Sequence, residues 1–206
     1  MRYTGSKNKL ARREGIDLGL KTPGSKAQAS LLRRLNITPG QHGASRKKKV
    51  TDYGSQLREK QKLKRMYGIS ETQMQNYYTK ANRMEGNTAE LLVQFLERRL
   101  DNVVYKLKLA PTRASARQLV NHGHVTVNGK KASIASFQIN VGDVVNFRTP
   151  KTAQIPAIAE IIAKKDDAPV MWIKRKGTSG KIESIPPLSD FSEDVVLQSV
   201  IEFYSR

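Results

Sequence analysis

The chain has no cysteine. Disulfide staples and thiolate metal sites are therefore excluded, and the absence fits a reducing cytoplasm. Aromatic residues supply only 6% of the sequence and hydrophobic residues 38%, which predicts modest cores and much polar surface. Long apolar runs are missing as well. The longest, residues 155–163, contains Pro156 and Glu160 and falls far short of the ~20 residues that a spanning helix needs. No apolar stretch follows the first charges of the N-terminus, so no secretory signal is expected. Acid is also scarce: 18 Asp/Glu stand against 37 Lys/Arg, a net charge of +19 over 206 residues. A chain this basic seeks a polyanion, and nucleic acid is the commonest one. An anionic membrane is the rival partner.

Catalytic constellations are lacking too. The histidines are His42, His122 and His124, and no carboxylate pair flanks them at a metal-ligand spacing. They read either as imidazoles in an RNA-facing loop or as satisfied structural residues. No phosphate-cradling glycine loop leads into Lys-Ser/Thr at a helix start. Gly177-Thr178-Ser179-Gly180 reads as a hairpin tip. No cofactor and no metal are expected.

What is present is unevenly distributed charge. Residues 1–50 carry 13 Lys/Arg against 2 Asp/Glu, and residues 91–154 carry 10 against 3. Residues 51–90 carry 7 against 5, and residues 155–206 carry 7 against 8. The basic surface therefore lies on an N-terminal arm and a central module. The arm shows no sustained apolar period and one helix near Ala27–Leu35. Alone it buries too little apolar area to offset its ordering entropy, so it is expected to order on RNA.

Asp52 is placed to cap a helix running to Met66, with Gly68 just past its end. Its exposed face is basic: Arg58, Lys62 and Arg65. Ser70 with Gln73 forms a capping-box pattern for a helix that puts Met74, Tyr77, Tyr78 and Ala81 on one face. Asn87 with Glu90 offers another box. Leu96, Leu100, Val103, Val104 and Leu107 then occupy the arc of one core-facing helical stripe. Pro111 stops it and Thr112 caps the next helix. There Ala116, Leu119 and Val120 face inward, while Arg113, Arg117 and Asn121 line the adjacent flank at four-residue spacing.

Val125 and Val127 alternate with His124 and Thr126, as in a half-buried strand. Asn128-Gly129 is a strong hairpin signal, because both central residues of that turn need positive φ. Gly142-Asp143 turns the chain before Val145 and Phe147. Pro156 starts a short helix with Ile158, Ile161 and Ile162 inward. Val170–Ile173 and Ile182–Ile185 look like two strands. Val195–Phe203 is expected to pack on an earlier helical layer. Two helices followed by a hairpin, with arginines on one flank, can grip a folded nucleic acid by its backbone and shape. Arg99-Leu100-Asp101 resembles the aspartate motif of some pseudouridine synthases. In those enzymes the aspartate lies in a separate catalytic domain, whereas here it sits inside the module's first helix, where a local salt bridge or scaffold contact is expected.

Together these strings resemble the bacterial-type family of small ribosomal subunit protein four. The resemblance rests on Met1-Arg2-Tyr3-Thr4-Gly5, Arg12-Arg13-Glu14-Gly15, Pro39-Gly40-Gln41-His42-Gly43 and Asp52-Tyr53-Gly54. It continues through Leu57-Arg58-Glu59-Lys60-Gln61-Lys62, Tyr67-Gly68, Arg99-Leu100-Asp101-Asn102-Val103-Val104-Tyr105, Ala116-Arg117-Gln118-Leu119-Val120 and Val127-Asn128-Gly129. Glu202-Phe203-Tyr204-Ser205-Arg206 ends it. The resemblance implies an α+β fold: a mostly helical domain interrupted by a compact α/β RNA-binding module of two helices plus a small antiparallel sheet, preceded by an extended basic N-terminal arm. The expected boundaries are 1–50 for the arm, 51–96 for the helical domain (completed by 186–206) and 97–160 for the module. Residues 161–206 are expected to form a hairpin and a C-terminal segment packing back on the helices.

The resemblance also implies a structural, non-enzymatic role in the cytoplasm. The expected partners are the five-prime domain of 16S ribosomal RNA, messenger RNA where it enters the subunit, and neighbouring proteins, above all ribosomal protein five. It implies nucleation of subunit-body assembly and a part in decoding accuracy. No membrane and no homo-oligomer are expected. Zinc-binding members carry four cysteines in the arm; Asn8, Ala11, Ser25 and Ser30 occupy those positions here, so the chain resembles the zinc-free branch. The predicted RNA-facing residues of the arm are Arg2, Lys7, Lys9, Arg12, Arg13, Gln41, His42, Arg46, Lys47, Lys48 and Lys49. Those of the helical domain are Arg58, Lys62 and Arg65. Those of the module are Arg99, Arg113, Arg117, Asn121, His122, His124, Asn128, Lys130 and Lys131. An RNA-modifying enzyme and a repressor binding messenger RNA are the alternative readings.

Overall fold

The computed structural model describes residues 3–45, 49–163, 170–191 and 193–206. In chain order the helices and strands are α1 (Lys7–Glu14), α2 (Lys26–Leu32), α3 (Asp52–Met66), α4 (Glu71–Asn82), α5 (Thr88–Glu97), α6 (Leu100–Lys106) and α7 (Arg113–Asn121). Next come β1 (Val125–Val127), β2 (Lys130–Ala132), β3 (Val144–Phe147), α8 (Pro150–Ala153) and α9 (Pro156–Ala163). β4 (Ile173–Lys176), β5 (Ser179–Ile182) and α10 (Leu197–Ser205) complete the chain. The fold is α+β. Two compact units divide it: Met1–Ala89 with Glu193–Arg206, and Glu90–Ser192.

The first unit is helical. Thr51, not Asp52, caps α3: its backbone is extended and its hydroxyl accepts from the Gly54 N–H at 3.2 Å. Asp52 becomes the first helical residue, where its charge favours the positive end of the helix dipole. Ser70 and Gln73 form the capping box expected for α4. The C-terminal helix returns to α3 and α4. Tyr53 meets Phe203 with ring centroids 5.6 Å apart, and Tyr78 stacks on Tyr204 at 5.0 Å. Tyr204 donates its hydroxyl to Glu71 at 2.8 Å, and Gln56 donates to Glu202 at 2.9 Å. Lys60 and Lys64 bind the same Glu71 carboxylate at 2.7 and 2.8 Å. Burial alone would raise the Glu71 pKa, but the hydrogen bonds from Lys60, Lys64 and Tyr204 win and hold it at about 2.

The described residues of the arm form two helices, α1 and α2, and make contacts of their own. Ala11, Leu18 and Leu31 are buried. Asp17 accepts from the Gly19 N–H at 3.0 Å and from Gln28 at 2.8 Å, and Ser25 caps α2 through the Gln28 N–H at 3.2 Å. Thus Ala11 supplies core volume and Ser25 a helix cap. Glu14 closes the end of α1 onto α3, where its side chain is fully buried against Arg58 and Arg65. Burial raises the Glu14 pKa, with Arg65 and Arg58 opposing.

The second unit builds a five-stranded antiparallel sheet in the order β2-β1-β3-β5-β4. Its inner face and helices α6 and α7 share a core that includes Leu100, Val104, Val120, Val145 and Trp172. Asn128 and Gly129 take φ of 50° and 77°, as the hairpin between β1 and β2 requires. Asn128 also ties that hairpin to the next turn. Its side-chain amide donates to Asp143 at 2.8 Å, and its oxygen accepts from the Val144 N–H at 2.9 Å.

Two sequence expectations give way here. The apolar stripe from Leu96 to Leu107 is not one helix: the chain breaks at Arg98–Arg99, between α5 and α6. The break is held by long-range bonds, with Leu100 N–H to Phe137 O at 2.9 Å and Ile139 N–H to Arg98 O at 2.9 Å. A loop distant in sequence thus takes an amide, that of Leu100, and a carbonyl, that of Arg98, that a continuous helix would have used internally.

The late hairpin is also displaced. Its strands are Ile173–Lys176 and Ser179–Ile182, joined at Gly177 and Thr178, in place of 170–173 and 182–185. It extends the sheet by pairing β5 with β3, so it belongs to the second unit and not to the C-terminal return. A tight fit fixes this register. Gly180 pairs with Val145 and Arg175, and a Cβ there would overlap the Leu107 side chain.

Candidate nucleic-acid interface

Thr112 caps α7 by accepting the Ser115 N–H at 3.1 Å. The helix then presents Ala116, Leu119 and Val120 to the core, as the four-residue spacing predicts. Its expected basic flank divides. Asn121 is exposed and Arg117 is half-buried, but Arg113 turns inward with 8% exposure. Arg113 donates from Nε to Asn102 Oδ1 at 2.9 Å, and its guanidinium lies 4.8 Å from the Tyr105 ring centroid. Asn102 in turn donates to the Glu97 carboxylate at 2.9 Å and to the Glu97 carbonyl at 3.0 Å.

Arg99 is enclosed completely, at 0% exposure. Its Nε and Nη2 donate to the two Asp101 oxygens at 3.1 Å each. Asp101 also accepts the Asn102 N–H at 3.0 Å and stands 3.8 Å from Arg117 Nη1. The expected RNA-facing roles of Arg99 and Arg113 therefore give way to an internal one. Helical spacing places a side chain on a flank, but the buried carboxylates Glu97 and Asp101 decide which guanidiniums stay inside. Asp101 makes the local salt bridge expected of it.

Exposed amide, imidazole and lysine side chains lie at the end of α7 and on the hairpin. Asn121, His122, Asn128, Lys130 and Lys131 are exposed and His124 is half-buried. Gly123 (φ 73°) ends α7, and the Lys131 side chain lies so close over it that an added Cβ would meet Lys131 Cε. Lys131 is thereby brought beside the two histidines, whose ring centroids are 6.3 Å apart. Arg148, absent from the predicted set, joins them: its N–H donates to the His124 carbonyl at 2.8 Å and the residue is exposed.

In the helical unit the predicted residues fare unequally. Lys9, Arg13, Gln41, His42 and Lys49 are exposed, and Lys7 is partly so. Arg12 instead works as a strut, donating to the carbonyls of Ile37 at 2.8 Å and Thr38 at 3.2 Å. The basic face of α3 is not open either. Arg58 and Arg65 hold Glu14, and Lys62 holds Glu59 at 2.6 Å. Arg2, Arg46, Lys47 and Lys48 lie outside the described residues.

Among the described residues, no group of three or more His, Asp or Glu is placed to hold a metal ion, and no helix is long and apolar enough to cross a membrane. The arrangement can bind anions and present shape. Two family models match the chain in sequence. The one described as the ribosomal protein S4/S9 N-terminal domain matches residues 2–97, and the one described as the S4 domain matches residues 98–145. The chain belongs to the S4 family of ribosomal proteins. It is an RNA-binding protein of the small ribosomal subunit. The match to the S4 domain covers α6, α7 and the β1–β2 hairpin and ends within β3. In this S4-family protein the further strands β4 and β5 extend that module's sheet.

Proposed function

We propose that the protein binds the five-prime domain of 16S ribosomal RNA, organises its helices and so nucleates assembly of the subunit body. It lies where messenger RNA enters, and with ribosomal protein five it contributes to decoding accuracy. It acts in the cytoplasm, within the ribosome, without catalysis. The observation that carries the reading is the exposed Asn121 and His122 at the end of α7 with the Lys131 side chain lying over Gly123, and Lys130 exposed next to it on the hairpin, all in the part of the chain that matches the S4 domain. Lysine and arginine heads there neutralise phosphates and release counterions, which supplies most of the affinity. The rigid helix-and-hairpin frame supplies shape selectivity, since the deep groove of A-form RNA resists direct reading of bases. Lys9, Arg13, Gln41, His42 and Lys49 form the arm's share of the contact surface.

The test is binding of the full chain to a 16S five-prime-domain transcript across salt concentrations. With about 6–10 phosphate contacts, affinity falls ~10³–10⁵-fold between 50 and 200 mM salt. Reversing Lys130 and Lys131 to Glu weakens binding and makes the salt slope shallower by about 2. A nearly flat salt response of the wild type would overturn the reading.

A further inference from the structure

The sheet of the second unit has two faces. Val125, Val127, Val145, Ile173 and Ile182 are buried on the inner one. Strand alternation sends their neighbours outward, and the register brings those neighbours together. Lys131 lies opposite Thr126, and Thr126 opposite Asn146. Lys181 lies opposite both Lys174 and Val144, and Lys176 opposite Ser179. Thr178 bridges the two halves with a hydroxyl bond to Asn146 at 3.4 Å. The outer face therefore carries Lys131 at one edge and Lys174, Lys176 and Lys181 at the other, with hydroxyl and amide groups between. Five strands at ~4.8 Å spacing make this track about 19 Å wide.

All four lysines are exposed. The carboxylate that pairs with one of them is Glu183, 3.5 Å from Lys174 Nζ, with both side chains solvated. An ion pair of that kind is weak and yields readily to a phosphate. The aromatic side chains of the sheet and its flank, Phe147 and Trp172, are buried in the core. Among the described residues, the outward positions of the five strands thus carry cations, hydroxyls and an amide but no aromatic side chain, and the half-buried His124 imidazole lies at the Lys131 edge, 3.4 Å from the Thr152 hydroxyl.

We propose that the outer face of this sheet is a second RNA-backbone track of the protein, taking phosphates and 2′-hydroxyls of ribosomal RNA without reading sequence. The inference rests on the RNA-binding reading above and adds a surface to it. Charge complementarity selects a polyanion. The lack of aromatic side chains at the outward strand positions, from Lys174 and Lys176 across Lys181 and Asn146 to Thr126, selects backbone contact over the base-stacking mode of other RNA-binding sheets. The track accounts for lysine at both outward positions of β4, Lys174 and Lys176, with Lys181 on β5 opposite the first.

The experiment compares the full-length wild type with a triple variant, Lys174→Gln, Lys176→Gln and Lys181→Gln, on the 16S five-prime-domain transcript. The triple variant should bind at least ~10-fold more weakly near 0.15 M salt, with a slope shallower by about 2–3. The corresponding triple Arg variant should keep both. Lysine acetylation of the wild type, with and without RNA, tests the same point without a variant: Lys174, Lys176 and Lys181 should be protected in the complex. Wild-type affinity and slope in the folded Gln variant, or full acetylation of all three lysines in the complex, would overturn the proposal. A wild type that does not bind the transcript would instead overturn the functional reading itself, so the two failures are distinguishable.

Discussion

Replacing Asp101 by Asn removes the negative charge that holds Arg99 inside the second unit. Arg99 is at 0% exposure and Asp101 at 4%. The carboxylate accepts two guanidinium bonds at 3.1 Å and one backbone N–H at 3.0 Å. Asparagine keeps the size but takes the Asp101 charge away from a fully buried guanidinium. Breaking a buried pair in this way costs about 3–5 kcal/mol, against ~0–1 kcal/mol for an exposed pair. Trp172, the single tryptophan, is 1% exposed in this unit's core, so its fluorescence reports this transition locally. With a denaturant slope of ~1–3 kcal/mol per molar, the urea midpoint should fall by about 1–5 M. The double replacement Arg99→Met with Asp101→Leu should recover at least half of the loss, because two apolar side chains remove both desolvation penalties. A destabilisation below ~1 kcal/mol in Asp101→Asn would refute the claim that this pair is an internal strut, since that is what an exposed pair is worth.

Two further predictions concern other parts of the fold. Glu71 has a folded-state pKa held down at about 2, below its ordinary 4.5. Its contribution is therefore present above the unfolded value and lost as pH falls from there toward the folded one. Urea unfolding followed by circular dichroism should show the gap between wild type and Glu71→Gln shrinking from pH 6 to pH 3; a constant gap would contradict the assignment. Gly180→Ala should cost about 1–3 kcal/mol through overpacking against Leu107. Trp172 fluorescence checks this as well, and an unchanged midpoint would show that Leu107 can move aside.

Much of the local structure was legible in the sequence because it depends on neighbours. Ser70 with Gln73, Thr112 before α7, and Asn128-Gly129 each carry their chemistry within four residues, and each forms as read. The core stripe of α7 follows from helical period alone. The failures share a different cause. The break at Arg98–Arg99 depends on carbonyls at Phe137 and on the amide of Ile139. The tip at Gly177 is legible, but the apolar residues at 170–173 and 182–185 draw the expected strands away from Ile173–Lys176 and Ser179–Ile182. The strands that form are rich in lysine on the outer face, so their hydrophobic signal is thin.

The sequence by itself determined the partner class. A net charge of +19 without cysteine, concentrated in an arm and a module, specifies a polyanion partner whatever the fold does with each side chain. The ordered motifs determined the family. Only the tertiary structure decided which cations remain available. Arg99, Arg113, Arg12, Arg58 and Arg65 read as surface charge, yet they are held by Asp101, Asn102, backbone carbonyls and Glu14. Lys174, Lys176 and Lys181 lie in a segment, 155–206, whose 7 Lys/Arg are offset by 8 Asp/Glu, yet sheet pairing sets them on the face that carries Lys131. The physical reason is the same in both cases. Charge composition is additive along the chain, whereas exposure depends on contacts between residues far apart in it.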